Sequence, residues 1–233
     1  MNVSSKITQK LAALFILTMA VTLSNEFADG GFVRAQSGSN AVKTSQAENA
    51  VKTTAQVGQP APDFTLVDAL GKPVSLAKLK GKIVVLEWFN HGCPFVKKHY
   101  DCGNMQSLQK TYTGKGVVWL SICSSASGKQ GFATAEEHLK TMTDKKGSPS
   151  HILIDADGKV GHLYGAKTTP HMYVIDKSGK LVYAGAIDDK RSTDSEDVKT
   201  SKNYVKVALD QLLKGKMPDV ATTDAYGCSI KYQ

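Results

Sequence analysis

The chain has 233 residues, 41% of them apolar, and a formal charge of +8 from 29 Lys and Arg against 21 Asp and Glu. That is enough for one compact domain with extensions. The positive charge is nearly all Lys, the only arginines being Arg34 and Arg191, and the lysines alternate with Asp and Glu. With no Arg stripe interleaved with aromatics, the charge describes a solvated basic surface and excludes a nucleic-acid partner.

At the N-terminus, Lys6 and Lys10 precede an apolar run from Leu11 to Leu23, broken only by Thr18 and Thr22. The run is too short and poorly flanked for a spanning helix and fits a secretory signal. Small side chains at Val33 and Ala35 place cleavage after Ala35, so residues 1–35 are expected to be a signal peptide or a retained anchor, with 11–23 as the tether. No cysteine follows the run, which argues against lipid attachment. Export to the periplasm or outside the cell is the expectation. Residues 36–56 repeat the pentapeptide NAVKT at Asn40 and Asn49 without aromatic or large aliphatic residues. Such a segment buries too little apolar surface to offset its ordering entropy, and reads as a flexible linker.

The texture changes at Val57. "APDFTLVDALGKPVSLAKLKGK" alternates apolar residues with Gly and Asp turns, as in a short hairpin. "KIVVLEWF" is a near-continuous apolar run of strand length, expected where both faces of a strand are covered. A helix follows from about Pro94, with Val96, Tyr100, Leu108 and Tyr112 inward and a kink expected near Cys102 and Gly103. "GKGVVWLSI" leads into a second buried strand. Thr134 and Glu137 form a capping box before a helix whose face carries Ala135, Leu139 and Met142. "HILIDADGKV" reads as a strand and turn, and "HMYVIDKSGKLVYAGAI" as a hairpin around Asp-Lys-Ser-Gly. A last amphipathic helix carries Val205, Leu209 and Leu212 and stops at Gly215. This order describes an α/β fold, a central mixed sheet with helices on both faces. The domain is expected over residues 57–215, with a tail over 216–233 that carries Cys228.

In this order Cys93 falls between the carboxyl end of the first core strand and the N-terminus of the first long helix. Unpaired backbone N–H groups and the positive end of the helix dipole favour its thiolate, the nucleophilic form. Pro94 suits the first helical turn, where its missing N–H costs nothing. Thr169-Pro170 directly precedes a core strand, a position where a cis bond makes a tight turn, and the strand order brings that turn to face Cys93. Val96 stands where a dithiol motif would carry its second cysteine. The reading requires the sulfur to face the Thr-Pro corner and not to lie inside the apolar interior.

Residues from about Val57 to Ile187, and through the last helix, resemble the thioredoxin superfamily. They are most similar to its exported redoxin branch, the alkyl-hydroperoxide-reductase/thiol-specific-antioxidant-like and TlpA-like proteins. The resemblance rests on "APDFTL…GKPVSLAKLKGK", the strand–Cys–helix junction, "TTPHMYVID" and "DKSGKLVYAGAIDD". It implies a three-layer α/β/α fold and a Cys93 that attacks disulfides or peroxides, with Thr169 and Pro170 shaping the groove beside it. Glu87, six residues before Cys93, matches the buried acid that manages protons in thioredoxins, although that acid serves mainly the thiol missing here. In peroxiredoxins the attacking Cys is surrounded by Pro, Thr and Arg; here those positions hold Leu86, Asn90 and about Pro170, so thiol–disulfide exchange is favoured over peroxide reduction.

Four cysteines in an exported chain permit disulfides. Cys228, in "DAYGCSIKY", is the preferred partner, either as a mobile resolving thiol or as a structural one; Cys102–Cys123 is a conceivable structural bridge. The resemblance also implies an opposing reading, a thioredoxin-fold copper chaperone using His91, Cys93, His99, Cys102 and His171, but the required close cysteine pair is absent. His99 is expected on an exposed helix side with Lys97 and Lys98. His171 is read either as a surface residue or as a cation favouring the Cys93 thiolate. A non-catalytic binding module is the third reading. The preferred one is an exported thiol–disulfide oxidoreductase with a single attacking cysteine, acting on thiol or disulfide proteins or on small thiols or peroxides. It is recycled by an external reductant and needs no cofactor and no metal.

Overall fold

The computed structural model describes residues 54–233. The expected signal segment and nearly all of the linker lie outside the described residues. Among the described residues no helix is long and apolar enough to cross a membrane.

The chain opens with the expected hairpin, β1 (Thr65–Asp68) and β2 (Pro73–Ser75). The Asp68 carboxylate accepts from the turn amides of Leu70 and Lys72, which fixes the connection. Next come β3 (Val84–Trp88), α1 (Pro94–Asp101), α2 (Asn104–Thr113), β4 (Val118–Cys123), α3 (Ala135–Asp144) and β5 (His151–Ile154). The remainder is α4 (Lys159–Tyr164), β6 (Thr168–Thr169), β7 (His171–Ile175), β8 (Leu181–Gly185), α5 (Tyr204–Leu213) and β9 (Cys228–Ser229).

Seven strands form one mixed sheet in the order β2-β1-β5-β4-β3-β7-β8. The inner strands β3, β4 and β5 are parallel, and β7 runs antiparallel to β3. Every residue of β3 is buried, as its unbroken apolar run requires. Side-chain alternation divides the core into two layers. Val85, Trp119, Met172 and Val174 pack under α1, α2, α3 and α5. Val84, Leu86, Trp88 and Leu120 pack under α4 and the N-terminal segment. This is the thioredoxin-like three-layer α/β/α arrangement.

The expected kink is a complete break. Gly103 takes φ +77°, a left-handed conformation open mainly to glycine, and the helix restarts at Asn104. At the break the carbonyl of Tyr100 accepts from Gly103 N (3.3 Å) and from Gln106 Nε2 (2.7 Å). The capping box is formed on both sides, Thr134 Oγ1 accepting from Glu137 N and the Glu137 carboxylate from Thr134 N.

Two expectations are corrected. The turn after β5 contains the short helix α4, held by the buried Asp155 carboxylate, which accepts from Val160 N (3.1 Å) and Gly161 N (2.8 Å). Six residues have little helical tendency of their own, so their sequence carries no periodic signal. Lys98 and His99, expected on an exposed helix side, have side chains 0% exposed. Both turn toward Asp188 (3.6 Å from Lys98 Nζ, 3.9 Å from His99 Nε2), a partner about ninety residues away that helical periodicity cannot reveal.

Candidate functional site

The register of β3 against β7 builds the site. Trp88, the last residue of β3, pairs with His171, the first of β7. The chain leaving β3 toward Cys93 therefore lies beside the chain arriving at β7 through Thr169 and Pro170, whose peptide bond is cis. A tight turn closes the remaining gap. Asn90 Oδ1 accepts from Gly92 N (2.8 Å), and Asn90 O from Cys93 N (2.9 Å). Cys93 is the extended N-cap of α1, followed by Pro94 at the first helical position.

Cys93 Sγ lies 3.1 Å from the carbonyl oxygen of Thr169, to which the thiol donates. The Thr169 hydroxyl is buried without a hydrogen-bond partner. The sulfur thus faces the Thr-Pro corner. The other half of the expectation is corrected: the sulfur is 0% exposed and belongs to the larger apolar cluster, so it does lie in the apolar interior, a burial that the strand–helix junction alone does not imply because the covering residues come from distant segments.

The C-terminal tail contributes to this burial. Thr223 N donates to Ala184 O (3.2 Å), which ties the tail to the edge strand β8. Tyr226 packs edge-on against Phe95 of α1, and its phenol donates to Asp188 Oδ1. Gly227, at φ +137°, passes so close to Thr169 that a Cβ there would stand 2.0 Å from the Thr169 oxygen, which only glycine permits. β9 then pairs antiparallel with β6, Cys228 opposite Thr169. Ile230 N donates to Lys167 O (3.0 Å), and the Tyr232 phenol to Ala166 O (2.8 Å).

This threading brings Cys228 beside Cys93, and the two thiols shift in opposite directions. Burial pushes the Cys93 thiol up, but it is outweighed by the Cys228 thiol, the Thr169 side chain and the backbone N–H groups of Cys228 and Val96, so the net shift is downward. Cys228 is pushed up to about 11, by burial first and then by donating to Cys93 and lying near its charge. Of the two thiols, Cys93 is made the more acidic and Cys228 the less acidic.

The other candidates lie apart. Glu87 is fully buried. Its Oε1 accepts from Tyr100 OH, and its Oε2 from Gln109 Nε2, Trp119 Nε1 and Ser121 Oγ. None of these bonds runs to Cys93. Burial raises its carboxyl above the ordinary range despite these donors. Cys102 is exposed at the helix break, its sulfur 3.8 Å from the His99 carbonyl, while Cys123 is buried with its sulfur 3.4 Å from the Gly131 carbonyl. All four cysteines are free thiols, so the bridge entertained between Cys102 and Cys123 is not formed.

His171 is buried against Tyr173, and burial holds it at about pH 4, so it offers Cys93 no cation. His99, likewise held at about 4 by burial, accepts or donates at Asn104 and faces Asp188. Among the described residues no three His, Cys, Asp or Glu side chains are grouped to hold a metal ion. At the peroxiredoxin-like positions, Leu86 is a core residue and the Asn90 amide is spent on its own turn and on Gln130 O. What sequence reasoning missed is the buried cluster of Tyr226 with Asp188 and Lys98; the aromatic in "DAYGC" was its one local signal.

A sequence profile described as the AhpC/TSA family matches residues 57–184. Thiol-disulfide oxidoreductase ResA of Bacillus anthracis is 29% identical over 131 residues, covering 56% of this chain and 70% of that protein. Thioredoxin-like protein YneN of Bacillus subtilis is 28% identical over 146 residues, covering 61% and 80%. Among solved structures, an uncharacterized conserved protein from Geobacillus kaustophilus superposes with a TM-score of 0.66 at 29% identity, over 76% of this chain and 93% of that one. A hypothetical protein from Sinorhizobium meliloti 1021 gives 0.64 at 27% identity, over 78% and 97%.

Proposed function

The chain belongs to the AhpC/TSA family, and from that premise we propose that it is an exported thiol–disulfide oxidoreductase in which Cys93 attacks and Cys228 resolves. The carrying observation is the juxtaposition of the two thiols at the Thr169-Pro170 corner with opposed proton affinities. Relatives named as thiol-disulfide oxidoreductases support the same reading.

The Cys93 thiolate attacks one sulfur of a substrate disulfide, forming a mixed disulfide and expelling the other sulfur as a thiolate that takes a proton. Cys228, deprotonated as it attacks, then bonds to the Cys93 sulfur and expels the second substrate thiolate. The substrate gains two electrons and two protons, and the protein ends with a Cys93–Cys228 disulfide. An external dithiol reverses the change. Val96 in the usual second-cysteine position is thereby replaced by a thiol from the tail. Thr169 and Pro170 form the groove wall, and Glu87 serves as a packing hub. Residues 1–35 direct export or anchor the chain, 36–56 act as a tether, 57–215 form the redoxin domain and 216–233 the resolving tail.

The test is a glutathione redox titration with peptide mapping. A single Cys93–Cys228 bridge should form, and Cys93→Ser should abolish disulfide reductase activity. Bridging that involves Cys102 or Cys123, or full activity in Cys93→Ser, would overturn the proposal. Fractionation of cells producing the full chain tests export.

The 0% exposure of Cys93 favours one second reading, a thiol peroxidase, because a small oxidant reaches a covered sulfur more easily than a protein does. The thiolate would take one peroxide oxygen to give sulfenic acid and an alcohol, and Cys228 would condense with it, releasing water. Rapid peroxide oxidation of Cys93 in stopped flow would promote this reading over disulfide exchange.

A further inference from the structure

Cys93 and the tail that covers it are attached to the same helix by a buried charged cluster that the chemistry above does not use. Lys98, five residues beyond Cys93 on α1, has a fully buried ammonium that donates to Lys190 O (2.8 Å) and lies 3.6 Å from Asp188 Oδ2. The other oxygen of Asp188 accepts from Lys190 N (3.0 Å) and from the phenol of Tyr226. Lys98 Nζ also sits 5.8 Å above the Tyr226 ring, and Phe95 packs on its edge. Two residues beyond Tyr226 stands Cys228. A buried carboxylate with a buried cation is costly to leave half-paired, so this cluster holds the phenol strongly.

We infer that Tyr226–Cys228 is a latched strap. Asp188, fixed by Lys98, holds Tyr226 as a positioning residue; the closed strap seats Cys228 on Cys93, and release of the phenol is the step that opens Cys93 to a protein substrate. The strap has two independent supports. Gly227 fits against Thr169 only for want of a Cβ, and the Tyr226 phenol is the polar anchor at the strap's end. Asp188 and Tyr226 touch no reacting atom and act through where they put Cys228. This inference rests on the Cys93–Cys228 reading for its role in turnover, but the covering of Cys93 is measurable without it.

The experiment is the native alkylation rate of Cys93, mapped by mass spectrometry on the reduced full chain, for wild type, Tyr226→Phe and Gly227→Ala. Thermal unfolding checks that the domain stays folded. Tyr226→Phe keeps the ring and deletes only the hydrogen bond. Losing a bond to a charged acceptor should raise the rate on the order of tenfold to a hundredfold. The share of Cys93–Cys228 disulfide at a fixed glutathione ratio should fall with it. Gly227→Ala should open the strap by collision with the Thr169 oxygen and give a similar acceleration. If both variants alkylate at the wild-type rate, there is no strap. If only Gly227→Ala accelerates, the strap exists but Asp188 does not latch it, and the inference fails. Repeating Tyr226→Phe in a Cys228→Ser background separates the two ideas. Acceleration there sustains the latch even if no Cys93–Cys228 bridge ever forms, whereas a missing bridge with wild-type cysteines counts against the oxidoreductase reading alone.

Discussion

Cys228 stands directly opposite Thr169 across the two-stranded β6–β9 pair, and that single register places a tail thiol on the sulfur of Cys93. The C-terminal segment is thereby part of the candidate site, and the thiol beside Cys93 comes from a segment 135 positions later in the chain, the interval from Cys93 to Cys228.

If Cys228 resolves, its loss should strand the reaction at its first covalent stage. Cys228→Ser is expected to accumulate a mixed disulfide between Cys93 and the substrate, visible as a reductant-sensitive adduct, while Cys102→Ser and Cys123→Ser turn over normally. Cys228→Ala should also raise the pH at which Cys93 ionises, because the largest donor to its thiolate is gone; absorbance of the thiolate in the ultraviolet follows this directly.

The two thiols pull the stability of the reduced protein in opposite directions with pH. Cys93 is lowered from an ordinary value of 9.0, so its contribution is fully present above 9 and is lost as pH falls through its folded value. Cys228 is raised from 9.0 to about 11, so its contribution is present below 9 and is lost as pH rises toward 11. Urea unfolding of the reduced chain should therefore show stability rising as pH approaches 9 and falling beyond it. Replacing both cysteines with serine should flatten that profile.

Acid should unfold the domain through its histidines. Burial holds His91, His99 and His171 at about 4 against an ordinary 6.5. The unfolded chain binds these protons first, so the stability they contribute is full above 6.5 and is lost as pH falls toward 4. Each tenfold change in proton affinity is worth about 1.4 kcal/mol, so three such groups represent a loss comparable to the whole stability of a domain. His171→Phe, which keeps a ring against Tyr173, should move the acid midpoint downward in a circular-dichroism titration.

Glu87 joins α1, α2 and β4 through four donated hydrogen bonds, from Tyr100, Gln109, Trp119 and Ser121. Glu87→Gln turns one acceptor into a donor facing donors, which should cost about 1–3 kcal/mol. The ionisation of Cys93 should not move. A denaturant midpoint that falls with an unchanged thiolate titration would fix Glu87 as a packing hub; a shifted titration would return it to the chemistry.

Much of this was legible because it is local. The apolar run "KIVVLEWF" made β3, Gly103 marked the helix break, and Thr134 with Glu137 wrote out a capping box. Cys93 at a strand–helix junction and Pro170 before β7 follow from the same short-range patterns. The burial of Lys98 was not legible, because helical periodicity ranks a lysine by type and its buried partner Asp188 is distant in sequence. Helix α4 left no trace either, because a carboxylate at Asp155 makes it, not its own residues.

The sequence by itself thus determined the core strands, the longer helices and the position of Cys93 at the strand–helix junction, since periodicity, turn residues and the helix terminus act over a few neighbours. Only the tertiary structure decided that the sulfur is covered and which thiol meets it. Those outcomes depend on the β3–β7 and β6–β9 registers and on a buried carboxylate gripping a tail phenol, contacts between segments whose separation along the chain leaves no periodic trace.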